Sequence, residues 1–228
     1  MMLARTEPSF LHSFFLFLYF LRSMLAVIDK TKLYCLGDIN VLNNKDIIAI
    51  IGTRNCTAEG RQIAYGIGYE LAKQGYTVVT GLAKGIDMLA ISGSLDAKGK
   101  VIAVRPYLYP IDYVDGRLLR KITANGCIIS ENLDKVNDSL WIKVQLFLRN
   151  RIISSLASVA VVLIEAKYNK HSGTMHQLKF LYQNGSFVKP IYIWQPISKR
   201  EDLVKGFAVY VAKGAVPFRT VDELMKML

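Results

Sequence analysis

The sequence predicts an α/β fold: a doubly wound, mostly parallel sheet with helices on both faces. Three observations carry this. From Asp46 onward, short β-branched runs alternate with helical stretches, the pattern of successive βαβ units. Glycine follows one helical stretch after another, at Gly75, Gly99, Gly126 and Gly185, where a left-handed residue ends a helix at no steric cost. The strand runs are nearly continuous in apolar residues, as expected when both faces of a sheet are covered.

Taken in order, Asp46–Ile51 (DIIAII) reads as a buried strand. The turn GTRNCT follows, and Thr57 caps a helix over Ala58–Gln74, where Ile63, Ile67 and Leu71 share one face at i, i+4 and i+8. Tyr76–Thr80 is the next strand, then the loop GLAKGID and a helix over Asp87–Lys98, with Asp87 placed to cap it. Lys100–Val104 is a third strand. A loop rich in Pro and Tyr leads to the helix RLLRKITAN and a fourth strand, Cys127–Glu131. Ser158–Ala166 is the most apolar strand and is expected at the centre. The helix TMHQLKFLYQN is expected to end at Gly185, before the strand Lys189–Trp194; a helix, a short strand near Val216 and a last helix, VDELMKML, complete the chain. No linker, repeat or low-complexity tract interrupts it. Ligands of such sheets bind beyond the carboxyl ends of the strands, at the topological switch point. The loops leaving each strand are therefore the candidate sites.

Composition narrows the function. The 228 residues are 52% hydrophobic and 11% aromatic, enough for a core, with Lys+Arg 29 against Asp+Glu 18 and a net charge of +11. That balance favours a polyanionic partner over a solvated lysine-rich surface alone. Cys35, Cys56 and Cys127 are odd in number and form no CxxC pair, and His12, His171 and His176 share no metal-ligand spacing with them. A reduced, cytoplasmic protein without a zinc site, disulfide framework or cofactor is expected. Residues 1–30 form an apolar N-terminal extension set apart from a domain over residues 31–228. Its uninterrupted apolar part, Phe14–Leu21, is 8 residues and closes at Arg22, whereas a spanning helix needs roughly 20. Three readings fit residues 1–23: an extra packed helix, a start site at Met24 instead, or a surface anchor. Membrane contact is not the expectation. Only Arg5, Glu7 and Arg22 are charged there, so the cationic excess belongs to the rest of the chain.

Four strand-end segments carry basic residues beside Gly, Ser or Asn. In IIGTRNCTAEG, Gly52 turns the backbone and Thr53 and Arg54 approach a helix N-terminus, an arrangement suited to phosphate. It is neither GxGxxG nor a Walker A loop. In TGLAKGID, Lys84 lies between Gly81 and Gly85. In EAKYNKHSGTMHQ, Lys167 and Lys170 precede Ser172, Gly173 and Thr174 at another helix start. Each loop alone reads equally well as a surface turn and a cap; their coincidence raises the case for an anion site. The fourth segment, LFLRNRIISSLAS, sets Arg149, Asn150 and Arg151 inside an apolar run. On a helix the two arginines diverge by roughly 200°. Either one meets phosphate while the other pairs with Glu131 or Glu165, or the segment starts irregularly and both reach the pocket. Asn150 orients an arginine or reads a base edge. Phe147 is a core residue or a base-stacking one.

These four stretches occur in an order and spacing that resembles the family of the DNA-processing protein DprA, also called Smf, with its G-[ST]-R turn, SGxAxGID loop, F-x-x-RNR segment and VxEA strand followed by SG[ST]. The lead-in LYCLGDINVLNNKD and the tail GFAVYVAKGAVPFRTVDEL also resemble it, so the likeness covers about Leu33 to Leu228. It implies a Rossmann-like domain that binds single-stranded DNA in a basic pocket, protects it and hands it to a RecA-type recombinase, usually as a homodimer, without catalysis. By motif, Gly52, Thr53, Arg54, Lys84, Gly85, Arg149, Asn150, Arg151, Lys167, Ser172, Gly173 and Thr174 are the implied nucleic-acid contacts. Departures exist. Leu82 replaces the second glycine of its loop, Arg105–Pro106 replaces a Gly-rich turn and adds a charge near the pocket, and the proline after Phe147 is absent. The family's SAM-like and winged-helix domains fall outside the likeness.

Two alternatives share the fold. A nucleotide sensor needs the same phosphate donors but only a pocket, not a track. Phosphoribohydrolases of the lysine-decarboxylase-like type carry PGGxGTxxE, and here HSGTMHQ puts Gln177 where the glutamate belongs. A neutral amide neither activates water nor stabilises an oxocarbenium centre, so hydrolysis is not expected.

Overall fold

A computed structural model describes residues 24–28, 31–112, 114–169 and 172–228. The apolar segment 1–23, Lys170 and His171 lie outside the described residues. β1 (Met24–Ile28) and β2 (Thr31–Gly37) form an antiparallel hairpin, so part of the segment the sequence set apart belongs to the sheet. The wound body follows: β3 (Ile47–Gly52), α1 (Ala58–Lys73), β4 (Thr77–Thr80), α2 (Ile86–Asp96), β5 (Val101–Val104), α3 (Gly116–Asn125), β6 (Gly126–Ser130), α4 (Ser139–Leu156) and β7 (Ala160–Ile164). Then come α5 (Gly173–Leu181), a small hairpin of β8 (Tyr182–Gln183) and β9 (Ser186–Phe187), β10 (Ile191–Trp194), α6 (Glu201–Ala212), β11 (Val216–Phe218) and α7 (Val221–Met227). The main sheet runs β1-β2-β6-β5-β4-β3-β7-β10-β11. β2 is antiparallel to β6, and every neighbouring pair from β6 to β11 is parallel. This is the doubly wound, Rossmann-like α/β architecture.

Strand alternation divides the core into two layers. On one face Ala49, Ile51, Val79, Val104, Val161 and Leu163 pack with Ile152, Ile153 and Leu156 of α4. On the other, Ile48, Ile50, Val78, Val162 and Ile164 pack with Ala64, Ile67 and Leu71 of α1 and Ile86 and Ala90 of α2. Each fully buried Leu or Ile contributes roughly 1.5–3 kcal/mol, and this two-sided burial explains why the strands lack a polar alternation.

Thr57 caps α1 as its position suggests. Its Oγ1 accepts from Gly60 N at 3.0 Å and donates to the Glu165 carboxylate, which also accepts from Thr57 N at 3.0 Å. Glu165, at the end of β7, is 1% exposed. Thr57→Ala removes the cap and one donor to a buried carboxylate, and is expected to cost about 1–2 kcal/mol, read as a lower urea midpoint with an unchanged slope.

Three local expectations are corrected. α5 stops at Leu181, not at Gly185: Asn184 (φ 50°) and Gly185 (φ 83°) form the turn between β8 and β9, because Asn-Gly takes the left-handed pair of a tight hairpin readily. Gly126 opens β6 with extended backbone and does not close a helix in the left-handed region. α2 starts at Ile86 after Gly85, and Asp87 turns back to accept from Ala83 N at 3.4 Å.

Candidate nucleic-acid interface

From β3 the chain winds outward through β4, β5 and β6, then returns to β7 on the other side of β3 and winds away through β10 and β11. The loops leaving β3 and β7 therefore diverge, and a cleft of about 750 Å³ opens at their carboxyl ends. The β3 loop contributes Gly52, Thr53, Arg54 and Asn55. Lys167 and Ser172–Thr174 come from the β7–α5 connection, and Lys143, Phe147, Arg149 and Asn150 from α4, while Asp87 lies deep within.

The β7–α5 side is built as a helix start. Ser172 caps α5, its Oγ accepting from Met175 N at 3.0 Å and donating to Lys167 O at 2.8 Å. The N-terminus of α5 therefore borders the cleft, which Ser172, Gly173 and Thr174 line, and such a helix end favours an anion. Lys167 stands beside them, 3.5 Å from Asp202, which pairs with Arg200 at 2.9 Å. Arg200 also donates to Asn55 O at 2.9 Å, tying the β3 loop to the start of α6.

The Arg-Asn-Arg segment lies in the regular helix α4, and its three side chains take three directions. Arg149 is 9% exposed. Its guanidinium donates to Gly81 O, just beyond β4, and to Val104 O, the last residue of β5, at 2.9 Å. These are buried carbonyls at strand ends, where the ladder stops and a donor is needed, which explains an arginine within an apolar run. The Asn150 side chain donates to Gly173 O at 3.4 Å, and its backbone carbonyl accepts from Gln177 Nε2 at 2.9 Å. Arg151 pairs with Glu131 at 2.7 Å. The helix is regular throughout, so the reading in which an irregular start brings both arginines to the pocket does not hold.

Asp87 faces Arg149. Burial raises its pKa, opposed by Arg149 and by N–H groups of Ala83, Gly52 and Gly81. The desolvation of a buried carboxylate outweighs its attraction to the guanidinium. The loops after β3 and β4 are thus held from beneath by one carboxylate.

Of the residues named from sequence, Gly52, Thr53, Arg54, Phe147, Arg149, Asn150, Lys167, Ser172, Gly173 and Thr174 line the cleft; Lys84, Gly85 and Arg151 are not among its described lining. Lys84 points to solvent. Gly85 lies behind the site, where a Cβ would come within 2.6 Å of the carbonyls of Thr53 and Arg54. Arg105 adds no charge to the cleft: it is 1% exposed and donates to Leu108 O and Pro110 O, folding its own loop. Leu82 adopts φ 52° and is fully buried, so core packing holds a leucine where a glycine is the easier choice. Glu165 bonds Thr57 rather than an arginine of the segment. Gln177 is buried between α5 and α4, its amide nitrogen donating to Asn150 O and Ser154 Oγ. Sequence reasoning missed Lys143, Asn55, Asp87 as a cleft residue, and His176. Lys143 was within reach, because it precedes Phe147 by one helical turn.

Among the described residues, no cluster of three or more His, Cys, Asp or Glu is arranged to hold a metal, the three cysteines are free thiols, and no helix is long and apolar enough to cross a membrane.

Together these features define a doubly wound α/β protein with a cationic cleft at its switch point. The chain belongs to the family described as DNA recombination-mediator protein A, which it matches over residues 25–228. It is 32% identical to the DNA processing protein DprA of Bacillus subtilis over 139 residues, 59% of this chain and 45% of that one. The chain thus spans less than half the length of this curated relative. DNA processing protein A from Helicobacter pylori, a structure concerned with its single-stranded DNA binding mode, superposes with a TM-score of 0.70 and 27% identity over 86% of each chain. DprA from Streptococcus pneumoniae shares the fold, with a TM-score of 0.74 and 23% identity over 94% of this chain and 77% of that one.

Proposed function

We propose that the cleft binds single-stranded DNA by its sugar-phosphate backbone. One observation carries the reading: Arg54, Lys143 and Lys167, from three distant parts of the chain, line one cavity that also receives the N-terminus of α5. Fixed N–H groups and mobile cations suit successive phosphates without selecting a sequence. The H. pylori relative, named for the same ligand, supports it. Transfer of the strand to a RecA-type recombinase is a further part of this proposal, supported by the family's description as a recombination mediator; protection of the strand and assembly as a homodimer are proposed with it from the family resemblance alone.

The test is anisotropy of labelled single-stranded and duplex DNA at several salt concentrations, with wild type and the Arg54→Ala/Lys143→Ala/Lys167→Ala variant. Single strands are expected to bind more tightly, and the variant's log–log salt slope to be shallower by about 2, at about 0.7 per phosphate contact. Equal affinity for both forms, or an unaltered slope in the variant, refutes the assignment. Displacement of the DNA by submillimolar nucleoside monophosphate points instead to a nucleotide sensor.

A further inference from the structure

Beyond the cleft, α4 carries an exposed apolar stripe. Leu140 is 69% exposed and Val144 43%. With Phe147 they fall at i, i+4 and i+7, on one side of the helix over about 10 Å. Trp141 is turned away and stacks on Tyr107 at 6.3 Å between centroids. The inner end of the stripe is the Phe147 ring, which lines the cleft. There the ring packs against His176, roughly perpendicular at 5.4 Å between centroids, and Phe180, at 5.2 Å, with Lys179 Nζ 5.3 Å from its own centroid. Lys143, on the cleft side of α4, is exposed. The stripe therefore begins in the cationic cleft and has a lysine on each flank where it emerges. Single exposed apolar residues need no explanation; single-strand binders combine a cationic groove that follows the backbone with aromatic rings on which bases stack, and here the ring is Phe147, with the aliphatic Val144 and Leu140 extending its apolar surface outward.

We propose that a single strand leaving the cleft runs outward along α4, its bases resting on Phe147, Val144 and Leu140 in turn. This rests on the function proposed above and adds a second segment to that site. The segment has a built-in end. Asp138 caps α4, its carboxylate accepting from Trp141 N at 2.8 Å, and an anionic cap does not favour further phosphates. The occupant is the same polynucleotide, because the stripe continues its cleft and the flanking charges oppose its own.

The experiment compares oligothymidylates of about 5 and about 15 nucleotides on wild type, Leu140→Ser/Val144→Ser and Val144→Phe. Both changes lie on the exposed face, and an unchanged thermal midpoint verifies the fold. The expected result is about tenfold weaker binding of the longer oligonucleotide to the double variant, with the shorter one altered less than about twofold, and tighter binding of the longer one to Val144→Phe. Wild-type affinity of the double variant for the longer oligonucleotide overturns the proposal but leaves the cleft reading intact. Wild type binding neither oligonucleotide means the cleft reading itself has failed. A wild-type dimer that the serine changes dissociate, seen by light scattering, also overturns the proposal, since the stripe then meets a second copy.

Discussion

Arg149→Leu is expected to destabilise the fold by about 3–5 kcal/mol, the cost of leaving one member of a buried charged pair alone. Its guanidinium donates to the strand-end carbonyls of Gly81 and Val104 and faces Asp87. Leucine fits the apolar neighbours but leaves two acceptors and a carboxylate uncompensated. Gly81→Ala is expected to resemble it, because a Cβ there would stand 1.8 Å from Nη1 of Arg149. The loss has a distinct pH signature. Burial already raises the Asp87 pKa, and removing Arg149 takes away a group that lowers it. A carboxyl raised in the folded state costs most when pH is above its folded value, and costs nothing below the ordinary value of 3.8. The gap between variant and wild type is therefore expected to widen as pH rises and to narrow as pH falls toward the ordinary carboxylate range. Urea unfolding across that range measures it. A gap independent of pH removes Asp87 from the account, and a variant as stable as wild type removes the clamp.

Gly85→Ala is expected to cost about 1–3 kcal/mol of stability and to weaken single-stranded DNA binding at least as much as Arg54→Ala, although residue 85 does not line the cleft. Its φ of 90° and ψ of −132° are open essentially only to glycine, and an added Cβ would lie 2.5 Å from Arg54 O and 2.6 Å from Thr53 O. Ile86 N donates to Thr53 O at 3.3 Å, so the loops after β3 and β4 move together. Denaturation and anisotropy on the same preparation check both effects. Stability lost without affinity lost separates Gly85 from the phosphate loop.

The element order was legible because its signals are local. β-branched runs, the Thr57 cap and the Gly75 stop act within a few residues of themselves. The misplaced ends were decided by competition at short range: Asn184–Gly185 made a hairpin turn where a helix stop was expected. The loops after β3 and β7 were legible as candidate anion sites because glycine, serine and basic residues coincide at several strand ends. Asp87 was read as a helix cap, since nothing near it in sequence indicates that Arg149 lies opposite.

By itself the sequence determined the doubly wound class and the family, and it nominated the two loops that flank the switch point among four candidate segments, because period, turn chemistry and motif order are properties of contiguous residues. Only the tertiary structure decided what Arg149, Asn150 and Arg151 do. Consecutive helical residues point roughly 100° apart, so three neighbours in the chain are held to strand-end carbonyls, to the start of α5 and to Glu131. Which direction met the cleft depended on how α4 crosses the strand ends, and that is fixed by the packing of Ile152, Ile153 and Leu156 against the sheet.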